Sequence, residues 1–190
     1  MESYRNDIIH ASKILAAGGL ILYPTDTIWG IGCDATNEAA VERIYALKKR
    51  RDGKAMIVLL DSTAKLDLYV REAPDVACDI AELSGTPVTI IYPEGKNLAA
   101  NLLAEDKSIA IRITKEVFSK TLCETFRKPI VSTSANISGE PSPGSFSDIP
   151  DEIKRSVDYV VEYGQNDKTI RKASSIIRIG INNSVKIIRT

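Results

Sequence analysis

The sequence predicts an α/β fold, an open twisted sheet of mixed parallel and antiparallel strands with helices packed on it. Amphipathic helical stretches alternate with short unbroken apolar runs through the earlier part of the chain. Strand-like segments then crowd the later part, where a hairpin pattern follows. Length and composition agree with one domain over residues 1–190, at 44% hydrophobic and 26% charged residues. A chain of that size buries about 70% of its unfolded surface. In such sheets the working groups sit in loops beyond the strand ends.

Taken in order, Asn6 or Asp7 is placed to cap a helix carrying Ile8, Ala11, Ile14 and Leu15 on one face, stopped by Gly18-Gly19. LILYP is a buried strand ending at Pro24. A second helix starts at Thr36 or Asn37, carries Val41, Ile44, Tyr45 and Lys48 down one face, and runs out into basic residues. AMIVLL, 55–60, is the next buried strand. Helical stretches over 63–70 and 74–84 follow, the second opened by Pro74 and closed by Gly85. VTIIYP and SIAIRI are strands on either side of the irregular NLAANLLA. Thr114 is placed to cap a helix with Phe118, Leu122 and Phe126 inward, ending before Pro129. PIVSTS is a strand that opens into ANISGEPSPGSFS, too rich in Gly, Pro and Ser for regular structure. A short helix near 150, a strand VDYVVEY and a hairpin SSIIRI-GINN-SVKIIR complete the pattern.

Several kinds of chemistry lack their residues. The 25 cations balance 25 anions, so anion binding must come from local clusters rather than net charge. The one histidine, His10, lies within the first helix, which leaves no Ser-His-Asp or Cys-His arrangement. Cys33, Cys78 and Cys123 form no CxxC pair and no zinc-ligand spacing, and reduced thiols fit a cytoplasmic protein. The opening residues lack the pattern of a signal peptide, and no apolar run nears the roughly eighteen residues that span a bilayer. YPEGKN lacks the phosphate-loop pattern, and GIGCDA lacks the third glycine of a dinucleotide loop.

Basic and hydroxyl chemistry remains. Lys48-Lys49-Arg50-Arg51 and Lys54 cluster before a buried strand. With extended backbone beyond the helix, Lys48 and Arg50 face one pocket while Lys49 and Arg51 face water. The same run also reads as cations gathered at a helix C-terminus by its dipole. Ser132, Ser134 and Asn136 alternate along a strand leaving the sheet, where short polar side chains bond phosphate or ribose oxygens. A capping and turn role accounts for the same residues. YPTDT is a turn in which Thr25, Asp26 and Thr27 cap neighbouring groups, while Tyr23 and Trp29 read as core.

Together, YPTDTIWGIGCDATNEAAVERIYALKKR, the Lys-x-Arg of Lys48 and Arg50, and the Ser-x-Asn of Ser134 and Asn136 in STSANISGEPSPGSF resemble the YrdC/YciO-like threonylcarbamoyl-AMP synthases. The likeness runs from about residue 5 onward. It implies a YrdC-like fold with a basic concave face, joining L-threonine, bicarbonate and ATP into threonylcarbamoyl-AMP and pyrophosphate. That product feeds the N6-threonylcarbamoyl modification of adenosine 37 in tRNA, with the transfer machinery, tRNA or double-stranded RNA as macromolecular partners. By resemblance Arg50, Lys54, Ser108, Ser134, Asn136, Ser142 and Arg189 take ATP; Thr27, Arg112, Ser132 and Ser174 take threonine; Lys48 and Arg50 serve catalysis by neutralising charge. Mg2+ is implied as an aid, although no carboxylate cluster marks a seat for it. Two other readings stand beside this one: an RNA-binding or ribosome-maturation module, and a YciO-like ATP-dependent enzyme taking a different small acid.

Overall fold

The computed structural model describes residues 2–49, 56–169, 171–180 and 182–190. Its helices are α1 (Glu2–Ala16), α2 (Glu38–Leu47), α3 (Leu66–Tyr69), α4 (Asp75–Leu83), α5 (Val117–Phe126) and α6 (Asp151–Ser156). Its strands are β1 (Ile21–Tyr23), β2 (Gly30–Gly32), β3 (Ile57–Leu60), β4 (Val88–Tyr92), β5 (Ile109–Ile113), β6 (Ile130–Ser134), β7 (Tyr159–Val160), β8 (Ser175–Ile179) and β9 (Val185–Arg189).

All nine described strands join one sheet in the order β7-β1-β2-β6-β3-β5-β4-β8-β9. Three pairs, β1/β7, β3/β5 and β4/β8, are parallel, and the others are antiparallel. The predicted mixed α/β sheet is therefore the observed one. β3 and β5 are apolar along most of their length because they lie in the middle of the sheet. β6 differs: its register sets Ser132 beside Ile57 and Ser134 beside Gly30, which leaves a row of hydroxyls among apolar neighbours. The same row continues from Ile57 to Ala110, Ile91 and Arg178.

Helix α1 buries Ile8, Ala11 and Leu15 and packs against α5, which contributes Phe118 and Leu122. These are the positions that helical periodicity selects. Helix α4 lies on β4 and β5. Asn37 caps α2, its side chain accepting from the Ala40 N–H at 3.1 Å.

Three local expectations change. Helix α1 is already formed at Glu2, so Asn6 and Asp7 lie inside it rather than at its cap. The buried Asp7 carboxylate instead accepts from the Tyr159 hydroxyl at 2.5 Å and from the backbone N–H groups of Glu162 at 3.2 Å and Tyr163 at 2.8 Å. Those amides are thereby lost to the sheet, and VDYVVEY forms strand only at Tyr159–Val160. Helix α5 is capped by Glu116, not Thr114: the carboxylate takes the Phe118 and Ser119 amides at 2.9 and 2.8 Å, which also places an anion at the helix N-terminus. Thr114 sits one layer deeper, its hydroxyl 2.7 Å from that of Ser119.

Two outcomes are expected. Asp7→Ala strands a hydroxyl and two amides, each costing about 1–3 kcal/mol when buried without a partner. Urea unfolding should show a loss of at least about 2 kcal/mol with an unchanged slope. Burial also raises the phenol pKa values of Tyr23, Tyr92 and Tyr159, and Asp7 raises that of Tyr159 further. A raised folded value means the fold favours the neutral phenol. That contribution is complete below the unfolded value and lost above it, so unfolding free energy should decline once pH passes about 10.

Candidate active site

A hollow of about 380 Å³ opens where Ser132 of β6, Ile57 of β3, Arg112 of β5 and Ile176 of β8 meet. Its rim is completed by three segments outside the strands: Thr27 to Trp29, Ser142, and Ala173-Ser174. Arg189 reaches it from β9.

The loop between β1 and β2 holds its shape through one hydroxyl. Thr25 Oγ1 accepts from the Thr27 N–H at 3.1 Å and donates to the Ile28 carbonyl at 2.8 Å. Thr27 is thus presented to the hollow without a helix to support it. On the opposite side, Ser174 Oγ lies 2.7 Å from Thr89 Oγ1, and the Ser174 carbonyl accepts from Arg189 Nε at 3.1 Å and NH2 at 2.7 Å. A short backbone segment and a neighbouring strand are thereby locked together at the rim.

Arg112 is 3% exposed and lines the hollow. Its charge is faced by Asp26, with Nε 3.0 Å from Oδ1. The distance suits a hydrogen bond but the direction does not, so both atoms stay buried without a hydrogen-bond partner. Burial raises the Asp26 carboxyl pKa, and the neighbouring Arg112 only partly offsets this.

The residues expected to take threonine, Thr27, Arg112, Ser132 and Ser174, all line this one hollow, together with Ser134, Ser142 and Arg189 from the nucleotide set. Three others do not. Ser108 lies just before β5, its hydroxyl 3.4 Å from the Arg178 guanidinium. Hydrogen bonds from Ser108 and Arg178 hold the exposed Asp106 beside it at a pKa of about 2. Asn136 turns its amide into its own loop, donating to the carbonyls of Ile137 at 3.2 Å and Glu140 at 2.6 Å. Lys48 is buried behind that loop, its ammonium donating to the carbonyls of Ser134 at 2.5 Å and Asn136 at 2.7 Å. Where the sequence reading faces it to a pocket, its ammonium is turned onto these carbonyls. At Lys49 the backbone is not extended: its φ is 52°, and its side chain pairs with Glu152 at 3.1 Å. Arg50 and Lys54, the remaining nucleotide residues, lie outside the described residues.

Trp29 was expected in the core, and at 7% exposure it is buried, yet it also forms a wall of the hollow and packs on Phe146 with ring centres 4.8 Å apart. Met56 and Thr133 join the lining as well. Nearness to the YPTDT turn is the signal that could have placed Trp29. No local pattern reveals that Asp26, on the loop between β1 and β2, meets Arg112, which lies within β5.

This lining suits holding anions rather than transferring protons. Cys33 and Cys123 are buried outside the hollow's lining, and burial pushes their thiol pKa values up, which disfavours the thiolate. Among the described residues no group of three or more His, Cys, Asp or Glu side chains could hold a metal. No described helix is long and apolar enough to cross a membrane.

The Sua5/YciO/YrdC family model, described as telomere recombination, matches residues 13–190. A threonylcarbamoyl-AMP synthase of Pseudoalteromonas translucida is 36% identical over 163 residues, covering 84% of this chain and 87% of the relative. One from Pseudomonas aeruginosa is 38% identical over 135 residues, covering 70% and 71%. The structure of P. abyssi Sua5 complexed with L-threonine aligns with a TM-score of 0.81 at 26% identity, covering 90% of this chain. This chain spans about half of that one, 50%. E. coli YciO aligns with a TM-score of 0.82 at 24% identity, covering 96% of this chain and 87% of the other, a likeness of fold.

Lys48→Met keeps length but removes the donor to two carbonyls, where each charge-assisted bond contributes about 1.5–3 kcal/mol. Urea unfolding should show a loss of at least about 3 kcal/mol. Lys48→Arg should not restore it, because a planar fork does not reproduce a point charge between converging carbonyls.

Proposed function

The chain belongs to the Sua5/YciO/YrdC family, and on that premise we propose that it is a threonylcarbamoyl-AMP synthase, a nucleotidyltransferase that joins L-threonine, bicarbonate and ATP and releases pyrophosphate. The observation that carries this reading is the convergence of Arg112, Arg189 and the hydroxyls of Thr27, Ser132, Ser134, Ser142 and Ser174 on one hollow.

Arg112, Thr27, Ser132 and Ser174 hold threonine, the guanidinium meeting its carboxylate. Ser134, Ser142 and Arg189 hold the nucleotide, with Arg50 and Lys54 completing the phosphate seat. Ser108 and Asn136 act from beside the hollow. Trp29, Met56 and Ile176 supply the apolar walls that exclude water.

The reaction needs little proton transfer from the protein. The threonine amine and CO2, or bicarbonate with loss of water, form a carbamate. A carbamate oxygen then forms a bond to the α-phosphorus of ATP, and the bond from that phosphorus to the bridging oxygen of pyrophosphate breaks. Nucleophile and target are both anionic, so the work of the site is to hold them in line and to balance charge on the leaving group. Hydroxyls and guanidinium groups fixed before substrate arrives do this without reorganising. A divalent ion would add charge neutralisation on the phosphates. Arriving on the triphosphate, it needs few protein carboxylates. The product is consumed in forming N6-threonylcarbamoyladenosine in tRNA.

Pyrophosphate release is expected only when threonine and bicarbonate are both present with ATP. Arg112→Ala should raise the KM for threonine at least about tenfold, with the KM for ATP within about twofold. Release that ignores threonine, or that proceeds equally well with other amino acids, would remove threonine from the reading.

A further inference from the structure

Arg112 enters the hollow from the middle of the sheet, with Leu59 of β3 beside it in register and almost no solvent contact. A cation so placed must be balanced, and among the described residues its ion pair is with Asp26. Asp26 does not line the hollow. It lies behind, where a smaller recess of about 100 Å³ is walled by Asp26, Ile113 and Lys115. Asp26 therefore meets the guanidinium on the Nε edge, on the side away from any ligand in the hollow.

The pairing is close yet incomplete, since Nε and Oδ1 are 3.0 Å apart and neither completes a hydrogen bond. A carboxylate free to settle would align itself with the N–H. This one is carried on the turn whose path Thr25 fixes through the Thr27 amide and the Ile28 carbonyl. Its position is set by backbone, so it acts on the arginine as a fixed charge.

We propose that Asp26 is the positioning residue for Arg112: by holding the Nε edge from behind, it turns the rest of the guanidinium into the hollow to receive the carboxylate of an α-amino acid. This rests on the reading of Arg112 as the carboxylate seat. Asp26 touches no reacting atom. Its effect is on recognition of the amino acid, not on the nucleotide or the chemical step.

The test measures pyrophosphate release and the competition of L-threoninol, which lacks the carboxylate, in wild type, Asp26→Asn and Arg112→Ala. Asp26→Asn is expected to raise the threonine KM at least about tenfold, with the ATP KM and kcat at saturating threonine within about threefold. Threoninol should inhibit wild type and Asp26→Asn alike, because nothing in it depends on the guanidinium. A threonine KM within about twofold of wild type, or threonine and threoninol weakened together, overturns the proposal. An Arg112→Ala protein that binds threonine normally overturns the underlying seat instead, whatever Asp26→Asn does.

If Asp26→Asn does not fold, the wild-type protein supplies the test through pH. The charged or titratable groups facing Asp26 are Arg112 on β5, Lys115 and Glu116 after it, Tyr23 on β1 and Cys123 on α5. Burial raises the Asp26 pKa, so Asp26 takes up its proton before an ordinary carboxylate as pH falls. Threonine affinity should then drop while threoninol affinity stays level. A parallel fall in both, or in neither, overturns the proposal.

Discussion

The ammonium of Lys48 gathers the carbonyls of Ser134 and Asn136 just where β6 leaves the sheet, and the Lys48 carbonyl accepts the Ser138 N–H at 3.0 Å in return. A buried lysine is costly unless its donors are met, and a strand that peels away from a sheet leaves carbonyls without partners. Each deficit here satisfies the other. The end of α2 and the exit of β6 are consequently fixed to one another, across 86 residues of sequence. The brace stands directly behind Ser134, the last residue of β6 and part of the lining of the hollow.

Above the brace, polar groups are fixed in pairs rather than left to solvent. Thr25 with Thr27, Thr89 with Ser174, and Arg189 with the Ser174 carbonyl each restrain a rim segment. Such pairs leave lone pairs and protons for a ligand while removing the freedom of the side chains that carry them. That is preorganisation: binding need not order these groups. The Arg112–Asp26 contact departs from the pattern, because distance is satisfied and direction is not. Among the described residues, the buried side-chain atoms left without a hydrogen-bond partner are these two and the Asn101 Oδ1.

Much of this was legible in the sequence, for reasons that are local. Ile8, Ala11 and Leu15 announce α1 because burial repeats with the helical period, and Asn37 announces α2 because its side chain serves an amide three residues away. Ser132 and Ser134 could be placed on one side because strand geometry alternates. Lys48 could be placed on a helix face, but not behind a loop, since a helix end turns according to what it meets. Asp7 looked like a cap because an acidic residue near a helix start commonly is one. Its real partners, Tyr159 and the Glu162 and Tyr163 amides, are over 150 positions distant. Trp29 has the size of a core residue and is packed as one, and only the cavity beside it shows a second use. Asp26 and Arg112 are likewise joined by topology alone.

The place of β6 between β2 and β3 also bears on how the molecule comes to be. Its partners Gly30 and Ile31 precede it by roughly a hundred residues, so each registers with β6 only after a long loop has closed. Non-local pairings of this kind are slow to form, and until this one forms the β7-β1-β2 ribbon and the β3-β5-β4-β8-β9 ribbon share no hydrogen-bonded seam. The strand that zips them together is the one that bears Ser132 and Ser134. The hollow lined by those serines is thereby tied to a long-range pairing, and a chain in which β6 has not docked offers no partial version of it.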